Sequence, residues 1–289
     1  MKVTDKEIIE NLLNKKIVDS KLLSNSFNIN CIQLITSDNY NLIIKYYSNK
    51  NYKFNAIKSE ANNLKFFKNY KINFFPQVYL SNDDYLVMTY IQNDGEKPNE
   101  TKEDLLDSIV SIHQINSENY GFEFDTQIGG LKQKNNFKND WVEFYREYRL
   151  GYIYELISSS NPMDSFINFK IDSLIKNLHN FIPKNPVSSL LHGDLWEGNI
   201  LFNKQKFCGL IDPGSFFGHN ELEVAYLRWF NPKFIDNNFI DKYNEKVKLD
   251  SNYIHYEPIY QLYYSLLNVY LWDRSYINDV LRLIKKIKI

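Results

Sequence analysis

Apolar positions recur along this chain in two periods, and the period changes near residue 93. Ile29-Asn30-Cys31-Ile32-Gln33-Leu34-Ile35 and Asn41-Leu42-Ile43-Ile44-Lys45-Tyr46-Tyr47 flank the polar Ser37-Asp38-Asn39, a pattern that predicts a β-hairpin. A second strand pair is expected at 77–80 and 85–90. Between the two pairs, Ile57, Ala61, Leu64 and Phe67 fall at helical spacing and predict a helix over 55–68. Ahead of them, 4–14 reads as a helix, with Thr4 as N-cap and Glu7 three residues on. Asn93-Asp94-Gly95-Glu96-Lys97-Pro98-Asn99 is polar and rich in breakers, as expected of a lobe boundary.

Beyond it the pattern is mainly helical. Thr101 with Asp104 resembles a capping box ahead of the stripe Leu105, Ile109, Ile112, and 141–157 reads as another helix. Short apolar runs at 188–191, 199–202 and 207–211 alternate with polar loops, and helices return from 221 onward. The uncharged stretch 258–272 holds four tyrosines, a Gln and an Asn; it reads as a core helix, too short and polar to span a membrane. The expected fold is α+β and bilobal. A β-rich lobe with one key helix occupies 1–91, and a larger, mainly helical lobe occupies 92–289.

Composition narrows this picture. With 289 residues, 44% apolar and 24% charged, the chain has ample surface to bury and is not a disordered polymer. Its net charge of −1 lacks the basic excess of nucleic-acid binders. The basic run at 282–288 reads as the last turn of a terminal helix. Met1-Lys2-Val3-Thr4-Asp5-Lys6-Glu7 is too charged for a secretory leader. Cys31 and Cys208 have no ligand spacing and read as two buried thiols of a reducing cytosol. A cytoplasmic chain with no membrane or nucleic-acid partner is expected; the sequence leaves the oligomeric state open, with a monomer favoured. Only ten glycines occur, the first at Gly95, so no glycine fingerprint for phosphates exists in the first third.

Chemistry concentrates in Leu190-Leu191-His192-Gly193-Asp194-Leu195-Trp196-Glu197-Gly198-Asn199 and in Ile211-Asp212-Pro213-Gly214. Both place carboxylates at the end of an apolar run, where they face a cleft. Gly193 and Gly198 let the loop fold back and bring Asp194 toward Asn199. An Asp and an Asn supply hard oxygens suited to Mg²⁺, and a further Asp can take a hydroxyl proton. Lys45 interrupts an apolar strand, where a bare ammonium is costly without a partner. Glu60 borders the buried stripe of its helix and is the candidate partner. Taken singly, Lys45 could be a solvent-facing edge residue, Glu60 a solvated charge and Asp212 a turn starter. In this order the set is the layout of a phosphoryl-transfer site. His192 reads as a residue bracing its loop and His113 as a satisfied core histidine. His179, His219 and His255 have no metal-ligand spacing. A metallophosphatase is disfavoured because no Asp-x-His precedes these motifs.

With these residues in view, the sequence resembles the fructosamine kinase (ketosamine-3-kinase) family, within the aminoglycoside and choline kinase-like superfamily. The resemblance runs over about residues 5–275 and includes His192-Gly193-Asp194-Leu195-Trp196-x-Gly198-Asn199, Ile211-Asp212-Pro213, Gly218-His219-x-Glu221 and Asn139-Asp140-Trp141-Val142-Glu143-Phe144-Tyr145-Arg146-Glu147. It implies a protein-kinase-like fold and ATP- and Mg²⁺-dependent phosphorylation of the sugar 3-hydroxyl of free or protein-linked ketoamines, leading to deglycation. By resemblance Asp194 is the base, Asn199 and Asp212 hold Mg²⁺, and Lys45 with Glu60 positions ATP. Ser26 and Asn28 approach the phosphates, Met88, Thr89, Tyr90 and Ile91 form the adenine hinge, Trp196 and Asn268 meet the sugar, and His192 and Glu223 are structural. Three departures stand out: the phosphate loop Ser24-Asn25-Ser26-Phe27-Asn28-Ile29-Asn30 has no glycine, Glu223 replaces a usual Asp, and Asn268-Val269-Tyr270-Leu271-Trp272-Asp273 replaces a His-x-Asn-x-Phe-Gly pattern. A kinase of another alcohol, of aminoglycoside or choline type, and a nucleotide-binding pseudokinase are the alternatives.

Overall fold

The computed structural model describes residues 3–287. Its first part is α1 (Val3–Leu13), β1 (Ile17–Ser26), β2 (Ile29–Thr36), β3 (Asn41–Tyr47), α2 (Ala56–Asn69), β4 (Val78–Ser81) and β5 (Tyr85–Thr89). The strands form one antiparallel sheet in the order β1-β2-β3-β5-β4, so β3 is central. Alternation explains the two faces. Ile32, Leu34, Leu42, Ile44 and Val87 pack with Ile9 and Ile17 on one side, whereas Ile43, Leu86 and Met88 join Ile57, Ala61, Leu64 and Phe67 of α2 on the other. Asn55 caps α2 by accepting from the Lys58 amide at 3.0 Å.

The second part is α3 (Glu103–His113), β6 (Asn116–Ser117), β7 (Thr126–Ile128), β8 (Leu131–Gln133), α4 (Trp141–Tyr145), α5 (Gly151–Ser160), α6 (Ser165–Lys176), β9 (Ser188–Leu191), β10 (Ile200–Asn203), β11 (Lys206–Leu210), β12 (Phe216–His219), α7 (Asn220–Phe230), α8 (Asn237–Lys246), α9 (Tyr253–Leu271) and α10 (Ile277–Lys286). Its core continues that of α2 without a break, through Trp141, Tyr145, Leu190, Leu227, Tyr260 and Tyr264. The β10–β11 hairpin and the β12-β9-β6 sheet deliver the loops of the site. No helix among the described residues is long and apolar enough to cross a membrane.

Several expectations are corrected. The first helix already includes Thr4, so Thr4 is not its N-cap; it ends where Asn14 turns left-handed, φ 49°. Lys102, not Thr101, precedes α3, and Thr101 Oγ1 instead donates to Asp236 while Asp104 accepts from the Leu105 amide. The helix expected over 141–157 carries a π-turn, Arg146–Leu150, that sets the fully buried Arg149 over the Phe144 and Phe216 rings. β1 was hidden because nine of its ten residues are exposed, leaving no alternation to read. Not among these corrections is the segment expected as a phosphate loop: it spans the tight turn of the β1–β2 hairpin, with Phe27 and Asn28 both at positive φ, and its Ser24, Ser26, Phe27 and Ile29 line the cavity described below. Both cysteines are free and half-buried rather than buried, and Cys31 opens onto the cleft. In the segment expected as a lobe boundary, the Asp94 amide donates to the Phe202 carbonyl at 3.2 Å, and Asp94 Oδ2 accepts from the Lys204 amide at 2.9 Å. Of the termini read above, Met1, Lys2 and Lys288 lie outside the described residues.

Candidate active site

Lys45 occupies the middle of β3, opposite Cys31 on β2 and Leu86 on β5. Only 7% of it is exposed, so its ammonium needs partners within the protein. It finds Glu60 of α2, donating to Oε1 at 2.8 Å and Oε2 at 2.9 Å, and it also contacts Asp212 Oδ1 beyond the end of β11. One strand lysine thus joins a helix carboxylate to a carboxylate 167 residues away. α2 makes a second link: Asn63 Oδ1 accepts from the Ser215 amide at 3.0 Å.

The loop after β9 is held by a fork. Glu223 of α7 accepts from the His192 amide (3.0 Å) and the Gly193 amide (2.7 Å), and His113 Nε2 donates to it at 3.0 Å. These donors outweigh burial and hold the Glu223 carboxyl below its ordinary value. Tyr243 donates to His113 Nδ1, so this buried histidine is satisfied on both nitrogens. His192 takes a matching tautomer: Nδ1 accepts from the Asp194 amide at 3.3 Å, and Nε2 donates to the Ile211 carbonyl at 2.9 Å. Burial pushes its pKa down, so the ring braces both loops in its neutral form. Gly193 is left-handed, φ 86°, and a Cβ there would stand 2.1 Å from the Gly214 carbonyl oxygen. The two loops therefore touch backbone to backbone. Gly214 donates to the His192 carbonyl at 2.9 Å and accepts from Thr126 Oγ1 and Gln133 Nε2, both at 3.1 Å.

These contacts bring Asp194 and Asn199 together. Asn199 Nδ2 donates to the Asp194 carbonyl at 2.8 Å and approaches Asp194 Oδ2 at 3.4 Å, and the Tyr226 hydroxyl approaches Oδ1 at 3.4 Å. Asp212, at φ 57°, holds a left-handed backbone that Asp tolerates better than bulkier residues. Burial, and next the charge of Asp212, push the Asp194 carboxyl up to about 8. Burial also pushes Glu60 up to about 7, against the pull of Lys45. For Lys45, burial is outweighed by Asp212 and Glu60, which hold its ammonium above its ordinary value. Asp212 is half-buried, and Lys45 outweighs that burial to hold it below the usual carboxylate range.

Around these groups lies a cavity of about 540 Å³, a size ordinary for a cofactor or substrate. Lys45, Glu60, Asp194, Asn199 and Asp212 all line it. Ile43, Met88, Leu201 and Ile211 give it an apolar wall, and Thr89, Tyr90 and Ile91 complete the edge after β5. Ser26 lines it as well. Asn28 does not: its Oδ1 accepts from Asn49 at 3.4 Å, away from the cavity. Trp196 lies against Gly198 and packs on Phe230, ring centroids 5.4 Å apart. It borders both this cavity and an adjoining one of about 410 Å³ that also takes in Asp194, Tyr226 and Asn268. Sequence reasoning missed Tyr226, whose place one helical turn after Glu223 was the available signal; Phe27 and Trp272, named above only as members of the departing segments 24–30 and 268–273, also line the cavity.

An ammonium bridging a helix carboxylate and a loop carboxylate, under an antiparallel sheet and beside an Asp–Asn loop, defines a phosphotransferase of the protein-kinase-like fold. Solved structures agree on the fold. A protein from Thermobifida fusca assigned as a fructosamine-3-kinase superposes with a TM-score of 0.85 at 21% identity, covering 97% of each chain. The aminoglycoside phosphotransferase APH(2″)-IIa, in a streptomycin–ATP complex, gives 0.67 at 14% identity over 99% of this chain and 96% of its own. The family model described as fructosamine kinase matches residues 2–289, a little more than the span of resemblance noted above. The chain belongs to the fructosamine kinase family, whose members are phosphotransferases with an alcohol acceptor. It is 30% identical over 219 residues to a probable ketoamine kinase of Enterococcus faecium (73% of this chain, 76% of that one). It is 31% identical over 211 residues to a chloroplastic protein-ribulosamine 3-kinase of Arabidopsis thaliana (70% of this chain, 63% of that one).

Proposed function

We propose that this chain uses Mg²⁺ and ATP to phosphorylate the sugar 3-hydroxyl of ketoamines, after which the sugar leaves the amine. The observation that carries the reading is the single cluster of Lys45, Glu60 and Asp212 beside Asp194 and Asn199. The relatives named as ketoamine and ribulosamine kinases support the acceptor class.

The donor set fits the magnesium. One ammonium faces two carboxylates, so the trio carries a surplus negative charge in a desolvated place. Among the described residues no three or more His, Cys, Asp or Glu side chains form a metal cage. One carboxylate and one amide oxygen, from Asp212 and Asn199, are the donors expected when phosphates and water complete the shell. Bound there, the cation would neutralise the charge that develops on the transferring phosphoryl group.

The chain's own residues do the rest. Lys45, oriented by Glu60, offers its ammonium to the phosphates. The apolar wall and the hinge of Met88, Thr89, Tyr90 and Ile91 hold the adenine. Asp194 accepts the acceptor hydroxyl's proton. In the free protein burial and Asp212 keep it protonated near neutrality; compensation of the Asp212 charge lowers its pKa and readies it as a base. Trp196 offers a ring face to the sugar, with Asn268 beyond it. The fork from Glu223 and the tautomer of His192 hold the Asp194 loop in register.

The test is incubation of the protein with Mg-ATP and glucose-, ribose- and erythrulose-derived lysine adducts, an aminoglycoside and choline, with products read by phosphorus NMR. Phosphorylation of ketoamines in preference to the others is expected. Turnover confined to an aminoglycoside or choline, or none at all, would overturn the assignment.

A further inference from the structure

The β1–β2 turn poses a question that nucleotide binding alone does not answer. Two-residue hairpin turns with both φ positive favour Asn and Gly. Here the first position is Phe27, φ 52°, a bulky side chain in a conformation it disfavours. Such an outlier persists when its surroundings fix it. What fixes it is the second part of the chain. Phe27 meets Trp272 edge-on, ring centroids 5.0 Å apart. A Cβ on Gly130 would lie 3.0 Å from Phe27 Cβ, and one on Gly129 would lie 3.3 Å from Phe27 Cζ and 2.9 Å from Leu271 Cδ1. The ring therefore rests on the bare β7–β8 turn and against the end of α9. A hairpin from the nucleotide side thus ends in an aromatic contact on the acceptor side.

The two rings have open faces. Phe27 is 38% and Trp272 59% exposed. Both line the cavity that contains Asp194, and Trp272 also lines the adjoining one with Tyr226, Phe230, Tyr276 and Asp273. Among the described residues lining that adjoining cavity there is no Lys or Arg. The sugar, rich in hydroxyls, has Asp194 and Asn268 as polar partners deeper in. Apart from Asp273, whose carboxylate already accepts from the Ser275 amide at 2.7 Å, the rim offers mainly ring surface, and the rim is where the part of a ketoamine attached to its carrier amine must emerge.

We propose that Phe27 and Trp272 form a two-ring clamp for the substituent on the ketoamine nitrogen, and that the clamp favours apolar or aromatic amines. The inference rests on the ketoamine reading above. It makes the glycine-free hairpin an acceptor-selecting element, with Phe27 and Trp272 as specificity-determining residues.

The test compares two acceptors with the same sugar: N-benzyl-1-amino-1-deoxyfructose and 1-amino-1-deoxyfructose, which has no substituent to clamp. The quantity read is the ratio of their kcat/KM values, in the natural protein, F27G, W272A and the double variant. F27G suits the backbone, since glycine adopts the left-handed turn freely. Each single variant is expected to lower the ratio about three- to tenfold, the scale of one aromatic contact. The double variant is expected to lower it little further, because the rings act as a pair. If the natural protein phosphorylates both acceptors and neither substitution moves the ratio, the clamp is refuted and the ketoamine reading stands. A rise in the KM for ATP with an unmoved ratio refutes it equally and makes the hairpin a nucleotide element. If the natural protein phosphorylates neither acceptor, the ketoamine reading fails and the clamp with it.

Discussion

Replacing Lys45 by Met removes the ammonium while keeping most of the side chain's volume, and the cost should depend on pH in a defined way. Lys45 and Glu60 are 7% and 4% exposed, so the pair is desolvated. Removing one partner of such a pair costs about 3–5 kcal/mol when the other stays charged. Glu60 can escape that cost by taking a proton. Its folded pKa of about 7 already lies above the unfolded value of 4.5. A raised folded pKa gives a contribution that is complete below the unfolded value and is lost as pH rises through the folded one. In the natural protein that loss ends near pH 7. Without Lys45 the folded pKa climbs further, so the variant keeps losing stability above pH 7 at about 1.4 kcal/mol per pH unit. The Glu60 share of the Lys45→Met penalty should therefore be small, about 1 kcal/mol, at pH 6 and grow by about 2.7 kcal/mol between pH 7 and 9, on top of a constant share from Asp212, which also loses its ammonium partner. Urea denaturation at pH 6, 7, 8 and 9 measures it. Adding Glu60→Gln should flatten the dependence without restoring turnover. A penalty that is the same at every pH, or that shrinks as pH rises, would refute the claim that Lys45 serves a buried carboxylate.

Other outcomes follow from the same geometry. Asp194→Asn should lower kcat by about 10²–10⁴-fold, the usual scale for a general base, while Mg-ATP still raises Tm; full turnover would remove Asp194 from that role. Because Asp194 is pushed up to about 8 in the free protein, kcat/KM for Mg-ATP should rise with pH and level off near pH 8, and a limb at pH 4 would contradict this. Asp212→Ala should abolish the Mg²⁺-dependent part of the Tm shift given by ATP, which isothermal titration with and without Mg²⁺ would check. Glu223→Ala strands two buried backbone amides and His113, and should cost about 2–5 kcal/mol by urea denaturation; Glu223→Asp should recover part of it.

The legible parts of this fold were those whose local pattern and tertiary role agree. β2 and α2 alternate or repeat cleanly because each buries one face, β3 reads as a continuous apolar run because both of its faces are buried, and the conflict of Lys45 with that run was itself the signal for Glu60. The Asp194 and Asp212 loops were readable because glycines and carboxylates mark the ends of buried strands. β1 was not readable: an edge strand exposed along almost its whole length has no face to advertise. Nor was the false cap at Thr101, whose hydroxyl is taken by Asp236, 135 residues away. The π-turn at Arg146–Leu150 is the same kind of case, since the rings that take up Arg149 come partly from β12.

The absence of glycine in the first hairpin shows how a local rule can mislead while remaining true. Phosphates approach a backbone more closely where side chains are missing, and a chain without glycine there looks impaired. The rule holds for the turn itself, because Phe27 does sit in a conformation that disfavours it. The compensation lies on α9, after which Trp272 meets the ring, and on the β7–β8 turn, where Gly129 and Gly130 leave room for it. Gly129 and Gly130, about a hundred residues after the hairpin, thus face the Phe27 side chain across the cleft. Close approach is preserved, but between the two parts of the chain rather than within one loop. That contact ties the hairpin's position to α9 and the β7–β8 turn, and residue-by-residue comparison with a glycine-rich loop has no means of registering it.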